Sequence, residues 1–180
     1  LQHVSDGVLA AMGRQGRKQD IVDAFQRIRQ TLPDIAIRTT FMVGFPGETE
    51  EDFQELLDFV TQAGILWAGV FTYSQEEDTP AALMPQQVPE EIKEERKNRL
   101  LARLASLSAQ HLRTFVGKRL LAVVEEELGP DLWAARSQYQ APEVDGLITV
   151  QAQGLQPGQF VEVEITDSDY YDLTGVLAAE

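Results

Sequence analysis

The segment Arg38–Phe53, RTTFMVGFPGETEEDF, constrains the fold of this chain more than any other, because it joins an apolar strand to a helix through a loop. Residues 35–43 form a run rich in β-branched and apolar side chains, which predicts a strand. Gly44 and Gly47 relax the backbone on either side of Pro46, which stiffens the turn. The segment therefore predicts a strand-loop-helix unit whose loop leaves backbone groups free for a ligand.

A helix is predicted directly after this loop. Thr49 is placed to cap it, and Asp52 stands three residues further on, in the capping-box position. Its apolar side chains recur at helical spacing, at Phe53, Leu56, Leu57 and Val60. Carboxylates fill its positive end and no Lys-Ser or Lys-Thr pair follows the second glycine, so phosphate is disfavoured. A cationic or zwitterionic ligand fits better; the alternative is that Gly-Phe-Pro-Gly is only a tight turn.

Helices and strands alternate through the first part of the chain. Asp20 is placed to cap an earlier helix that ends at Pro33, with the apolar face Ile21, Phe25, Ile28 and Leu32. After Gly64, residues 66–73 predict another strand, so the order indicates βαβ units and a parallel sheet. The acidic loop 74–87 follows that strand, where α/β proteins place ligand contacts.

A long helix and a change of pattern follow. Pro89 opens the helix, with a charged face that we assign to solvent and an apolar stripe of Ile92, Leu100, Leu104, Leu107 and Phe115. From Gly117 five short alternating runs predict a small five-stranded antiparallel β-barrel of the oligonucleotide-binding type. The predicted strands are 120–127, 132–139, 146–153, 160–166 and 170–177. The sequence thus predicts an α/β chain with a domain of residues 1–116 and a β-barrel domain of residues 117–180.

Charge and composition limit the partners and cofactors. The chain has a net charge of −14, and residues 117–180 account for −9 of it, which would repel a phosphate backbone and suits a basic protein partner. The alternative is a merely soluble acidic surface. There is no cysteine, so thiolate-held metal and disulfides within the chain are excluded, and His3 and His111 are interpreted as packed or surface side chains. No signal-peptide pattern or long apolar run is present, and we expect a cytoplasmic location.

Four ordered segments resemble one family over essentially all 180 residues. They are LQHVSD at 1–6 with Met12 and Arg14, the segment Arg38–Phe53, FTYSQEEDTPA at 71–81, and APEVDG at 141–146 with YDLTG at 171–175. In this order they resemble the C-terminal part of a radical S-adenosylmethionine (SAM) methylthiotransferase of the RimO type. The sequence departs from the family's usual residues at Asp78, Ala135 and Thr174.

The resemblance implies a partial TIM-like radical SAM barrel followed by a TRAM domain, which is the small β-barrel. It implies SAM and two 4Fe-4S clusters as cofactors, with cluster cysteines upstream of Leu1, so that this chain alone is expected to be inactive. No catalytic residue and no metal ligand is assigned within the chain.

The resemblance also suggests which residues contact SAM. The loop residues Val43, Gly44, Phe45, Pro46, Gly47 and Glu48 would run beside its adenosyl part, largely through backbone groups. Gln2, Ser5, Arg14 and Arg38 are candidate polar contacts, and Tyr73 and Ser74 end the next strand near the same place. Arg38 lies within an apolar strand and is the strongest of these candidates, because a buried guanidinium needs an anionic or hydrogen-bonding partner. The alternative for Arg38 is a structural ion pair.

The substrate class follows from the same resemblance. The Leu-Gln-His opening and the Glu76-Glu77 pair resemble the RimO branch, which modifies the β-carbon of an aspartate on the basic small-subunit ribosomal protein S-twelve. The acidic β-barrel favours that branch on independent grounds. The alternatives are a tRNA methylthiotransferase and a non-enzymatic adaptor that binds a basic protein. The redox partner and the oligomeric state do not follow from the sequence.

Overall fold

A computed structural model describes residues 1–179. The chain divides into two compact units, Leu1–Leu104 and Ala105–Glu180. The helices are α1 (Asp6–Ala11), α2 (Lys18–Thr31), α3 (Glu50–Gln62) and α4 (Glu90–Leu112), with 3-10 turns at Pro80–Leu83 and Arg113–Phe115. The strands are β1 (Arg38–Val43), β2 (Trp67–Thr72), β3 (Arg119–Gly129), β4 (Leu132–Ser137), β5 (Ile148–Gln151), β6 (Phe160–Ser168) and β7 (Leu173–Leu177). None of the helices in residues 1–179 is both long and apolar enough to cross a bilayer.

The first unit is built on the parallel pair β1 and β2, which confirms the predicted parallel sheet. Their register runs from Arg38 opposite Trp67 to Val43 opposite Thr72. The N-terminal segment lies along the other edge of β1, where the Gln2 carbonyl accepts a hydrogen bond from the Met42 N–H at 2.9 Å. Helix α3 connects the two strands and buries all four residues predicted for its apolar face, Phe53, Leu56, Leu57 and Val60.

The first strand and helix α2 differ in detail from the sequence prediction. Strand β1 begins at Arg38 rather than residue 35, and the Ile35 carbonyl accepts a hydrogen bond from Arg29 of α2 at 2.6 Å. Helix α2 begins at Lys18, and Asp20 lies in its first turn, where its carboxylate accepts from the Arg17 N–H at 2.8 Å. Asp20 is therefore not the N-cap, and none of the apolar residues of α2 is fully buried.

The apolar stripe predicted for α4 is only partly right. Leu100 and Leu104 are buried, but Ile92 is exposed, and the buried positions one and two turns before Leu100 are Arg96 and Lys93. These cations lie at the same helical spacing as the leucines, and they are buried because each has polar partners in the first unit.

The second unit contains a closed five-stranded β-barrel in the order β3-β4-β5-β7-β6, and all five predicted strands are present. The prediction that the barrel is wholly antiparallel is wrong. Strands β5 and β7 pair in parallel, from Ile148 opposite Leu173 to Gln151 opposite Val176. Strand direction cannot alternate around a closed ring with an odd number of strands, so at least one parallel pair is unavoidable. The core is made by inward residues such as Val124, Ile148, Val163 and Leu173.

Candidate functional site

The loop between β1 and α3 forms the centre of the candidate site. Gly44 and Gly47 have φ angles of +74° and +83°, the left-handed conformation that glycine adopts without strain. Thr49 is the N-cap of α3, and its hydroxyl oxygen accepts from the Asp52 N–H while the Asp52 carboxylate accepts from the Thr49 N–H at 3.0 Å. The predicted capping box is confirmed, and it fixes where the loop ends and the helix begins.

The loop is held by its own hydrogen bonds, so it is not the open row of backbone donors that we expected. The Gly44 N–H donates to the Glu48 carboxylate at 2.8 Å, and the Glu48 N–H donates to the Phe45 carbonyl at 2.9 Å. The Gly47 N–H donates to the Gln86 carbonyl at 3.0 Å. Three of the loop's N–H groups are thus already used to set its shape.

Glu48 is a buried carboxylate that connects three parts of the first unit. Its Oε2 accepts the Gly44 N–H, and its Oε1 accepts from the Arg96 guanidinium of α4 at 2.8 Å. The same guanidinium also donates to the Glu48 carbonyl at 3.1 Å. Burial raises the pKa of Glu48, and the Arg96 charge and the Gly44 hydrogen bond oppose that rise. Glu48 therefore acts as a support beneath the loop rather than as an exposed ligand.

His3 brings the N-terminal segment to the same carboxylate. Its Nδ1 accepts from the Ser5 N–H at 3.0 Å, and its Nε2 lies 3.7 Å from the Glu48 Oε2. Burial lowers the pKa of His3 to about 4; the Asp52 charge opposes this shift and the Arg96 charge adds to it. His3 is therefore neutral at physiological pH, and with Nδ1 as acceptor its proton is on Nε2, facing Glu48.

Ser5 and Asp52 make a second link between the N-terminal segment and α3. The Ser5 hydroxyl donates to the Asp52 carboxylate at 2.5 Å, and Ser5 is also the N-cap of α1. Partial burial acts to raise the pKa of Asp52, but the hydrogen bonds from Ser5 and Thr49 hold that pKa below its usual range. This pair fixes α1 next to the loop.

Lys93 of α4 packs against the loop at Gly44. Its Nζ donates to the Tyr73 carbonyl at 2.9 Å and lies 5.4 Å from the centre of the Tyr73 ring. Its stem occupies the space above Gly44, where an added Cβ would lie 2.3 Å from the Lys93 Cγ. Only glycine therefore fits at position 44, because of the lysine stem as well as the backbone angle.

Tyr73 directly follows β2 and carries an unsatisfied polar atom. The residue is buried, and its hydroxyl has no hydrogen-bond partner among residues 1–179. Its ring packs edge-on against Phe45 with centroids 5.2 Å apart, and Val8 and Met42 belong to the same cluster. A buried hydroxyl without a partner is costly, so the ends of β1 and β2 offer a hydrogen bond to a ligand.

The structure brings most of the predicted site residues together at the carboxyl ends of β1 and β2. Val43 and Tyr73 are joined by a hydrogen bond of 2.9 Å, and Ser5 reaches the loop through Asp52. Ser74 is exposed, and its hydroxyl donates to Glu76 at 2.7 Å. The other members of this group are Gly44, Phe45, Pro46, Gly47 and Glu48, with the Gln2 backbone beside β1.

Two predicted residues are not placed with this group. Arg38 is the first residue of β1, so its Cα lies roughly 16 Å from that of Val43 at the usual rise per residue. Its side chain is exposed, so the prediction of a buried guanidinium at Arg38 is wrong. Arg14 is also exposed, in the turn after α1.

Sequence reasoning missed the supporting side chains His3, Lys93 and Arg96. The two cations were assigned to a solvated face of α4, although Lys93, Arg96, Leu100 and Leu104 share one helical stripe. That spacing was the available signal, because a cation in line with buried leucines needs a partner inside the fold. Within residues 1–179 no group of three or more histidine and carboxylate side chains is placed to hold a metal ion.

The barrel presents acidic and apolar side chains together. Glu125, Glu126 and Glu162 are exposed on the neighbouring strands β3 and β6. Leu121 and Phe160 on the same two strands are 60% and 69% exposed. Exposed apolar side chains of this size are typical of a surface that contacts another molecule.

Comparisons with known proteins relate both units to described families. Residues 1–60 match the radical SAM superfamily, and residues 116–177 match the TRAM domain. A protein named ribosomal protein uS12 methylthiotransferase RimO from Heliobacterium modesticaldum is 44% identical over 175 residues, which are 97% of this chain and 38% of that protein. Proteins of the same name from Citrifermentans bemidjiense and Clostridium acetobutylicum are 46% and 42% identical, over 97% and 100% of this chain and 40% of each relative. The chain spans about two fifths of the length of these relatives.

Proposed function

This chain is related to the RimO type of radical SAM methylthiotransferase along 97% of its length, as its motifs predict, and from that premise we propose that it works as part of such an enzyme. The reaction would replace a hydrogen on the β-carbon of an aspartate of ribosomal protein uS12 with a methylthio group. The observation that carries this proposal is that the similarity runs through the radical SAM segment and the TRAM domain together. The location would be cytoplasmic.

SAM fits the residues at the ends of β1 and β2. The buried Tyr73 hydroxyl, which has no hydrogen-bond partner among residues 1–179, suits a polar group of SAM. When bound beside a reduced 4Fe-4S cluster, SAM supplies the radical that abstracts hydrogen. In this chain Val43–Glu48 would hold the adenosyl part, with Gln2, Ser5, Tyr73 and Ser74 around it. Arg14 and Arg38 are proposed only as outer contacts, since both are exposed.

The two 4Fe-4S clusters would need ligands from outside these 180 residues. The chain contains no cysteine, so it offers no thiolate to iron. We therefore assign residues 1–116 to the binding of SAM and to closing the catalytic domain, and residues 117–180 to substrate docking. No residue of this chain is assigned to the chemical step.

The acidic barrel supports a protein substrate over tRNA. Residues 117–180 carry a net charge of −9, which attracts a basic protein and repels a phosphate backbone. The exposed Leu121 and Phe160 would supply apolar contacts at the same place. We propose that uS12 docks on the outer surface of β3 and β6.

The test is anaerobic incubation of the cluster-loaded whole protein with SAM and either uS12 or tRNA, followed by mass spectrometry of both. A methylthio mass gain on an aspartate of uS12 alone is expected. A gain on tRNA alone would replace this proposal with a tRNA methylthiotransferase, and binding of uS12 without any gain would favour the adaptor.

A second experiment tests the docking surface. Glu126→Lys combined with Glu162→Lys should raise the KM for uS12 several-fold and leave SAM affinity unchanged, because opposite charges steer and orient the encounter. Asp23→Lys combined with Asp34→Lys is the matched control, since it makes the same change of charge at two exposed carboxylates of the first unit. An unchanged KM for uS12 in the double variant would refute the proposal that uS12 docks on this surface of the barrel.

A further inference from the structure

The segment between the two matched regions contains the buried cations of α4, and neither family match covers it. The radical SAM match ends at residue 60 and the TRAM match begins at residue 116. Lys93 and Arg96 nevertheless reach into the first unit, each with less than one tenth of its surface exposed. A long helix that merely covered a sheet would direct such side chains to solvent.

The two cations hold the two strand ends that form the site. Arg96 binds both the side chain and the carbonyl of Glu48, and Glu48 in turn holds the Gly44 N–H. Lys93 binds the Tyr73 carbonyl, and its stem lies against Gly44. The loop after β1 and the residue after β2 are thereby fixed to one helix.

His3 is a third buried side chain beside Glu48. Its Nε2 is buried, has no hydrogen-bond partner within residues 1–179, and lies 3.7 Å from the Glu48 carboxylate. At this distance the Nε2–H and the carboxylate attract each other without forming a full hydrogen bond. A small shift of the loop on ligand binding would bring them into bonding range.

We propose that Lys93, Arg96 and His3 are positioning residues that set the shape of the 44–48 loop, through Glu48 and Gly44, for the ligand bound at the ends of β1 and β2. The inference rests on the proposed function only for the identity of that ligand as SAM. Arg96 acts because it neutralises and orients a carboxylate that would otherwise be buried without a counter-charge. Lys93 acts because it keeps the Tyr73 carbonyl and the Gly44 backbone at a fixed separation.

The first measurement is hydrogen exchange of the peptide that contains the Gly44 amide, in the cluster-loaded whole protein without SAM. Arg96→Met and Lys93→Met keep most of the side-chain volume and remove the charge. Both should speed exchange of that peptide by about tenfold or more, because the Gly44 hydrogen bond opens more often. Glu90→Gln is the matched control, since Glu90 pairs with Lys93 from an exposed position.

The second measurement is SAM affinity of the same variants by calorimetry. Arg96→Met and Lys93→Met should weaken binding by about tenfold to a hundredfold, because a displaced loop presents the wrong geometry. Glu48→Gln keeps an oxygen acceptor for the Gly44 N–H, so it should lose less affinity than Arg96→Met. If Arg96→Met does not fold, Glu48→Gln replaces it as the test variant. In that case the Gly44 amide should exchange measurably faster in Glu48→Gln than in Glu90→Gln.

The outcomes separate the two ideas. Folded variants with parental Gly44 exchange and parental SAM affinity would overturn the positioning role. Faster Gly44 exchange in a protein that never binds SAM would retain the positioning role and refute the proposed ligand. Lower thermal stability with unchanged exchange and affinity would make Lys93 and Arg96 structural only.

Discussion

Replacement of Gly44 by alanine tests whether α4 restricts the loop. An alanine at φ +74° costs about 1–2 kcal/mol from backbone strain alone. Its Cβ would lie 2.3 Å from the Lys93 Cγ, so the lysine must move. The Nζ bond to the Tyr73 carbonyl would then be lost, at about 1.5–3 kcal/mol for a charged donor. We expect Gly44→Ala to lower the free energy of unfolding of the first unit by about 2.5–5 kcal/mol.

Gly13→Ala is the matched control for this experiment. Gly13 lies in the same unit with φ +71°, and an added Cβ would meet nothing within 4 Å. Gly13→Ala should therefore lower the free energy of unfolding only by the cost of the backbone strain, about 1–2 kcal/mol. Any gain from a less flexible unfolded chain is common to both substitutions and cancels in the comparison. The difference between the two variants measures the steric contact with Lys93.

The assay is urea unfolding followed by tryptophan fluorescence. The chain has two tryptophans, one in each unit, so a Trp133→Phe background leaves Trp67 as the reporter of the first unit. In a Lys93→Ala background, Gly44→Ala should cost only about 1–2 kcal/mol, because the steric contact is gone. Equal losses for Gly44→Ala and Gly13→Ala, or no relief from Lys93→Ala, would refute the reasoning.

Three further predictions concern the cap, the buried histidine and the barrel. Thr49→Ala removes the N-cap of α3 and should lower the free energy of unfolding by about 1 kcal/mol, while Thr49→Ser should retain most of it; equal urea midpoints for the two would contradict the cap. The pKa of His3 is about 4 when folded and 6.5 ordinarily, so the unfolded chain binds more protons between these values. The parent should lose about 3 kcal/mol as the pH falls from about 6.5 to 4, and His3→Asn should not show this loss in urea titrations across that range. Gly146→Ala would place a Cβ 1.8 Å from the Tyr171 carbonyl oxygen and should destabilise the barrel by about 3 kcal/mol, read by thermal unfolding at its tryptophan; an unchanged midpoint would show that the loop adapts.

The local part of the site could be predicted from the sequence. The strand, the glycine-containing loop and the capped helix depend on residues that are close in the chain, so Gly44, Gly47 and Thr49 have the predicted roles. Their hydrogen-bond partners could not be predicted in the same way. Gln86 and Arg96 are far from the loop in the sequence, and Arg96 is 48 residues from its partner Glu48. Only the folded chain brings them to the loop.

The remaining differences have the same origin. The burial of Lys93 and Arg96 depends on acceptors supplied by Tyr73 and Glu48, which no helical pattern contains. Strand β1 begins at Arg38, and the apolar run that contains Arg38 does not indicate that this side chain is exposed. Short apolar runs indicate strands, but they do not indicate which strands become neighbours.

The position of β7 between β5 and β6 bears on how the barrel folds during synthesis. β7 follows both of its neighbours in the chain, and it is parallel to β5 and antiparallel to β6. Until Leu173–Leu177 leave the ribosome, β5 and β6 each keep an unpaired edge that can join strands of other chains. The barrel therefore closes in one late step, and a nascent chain stalled before residue 173 is the form most exposed to aggregation.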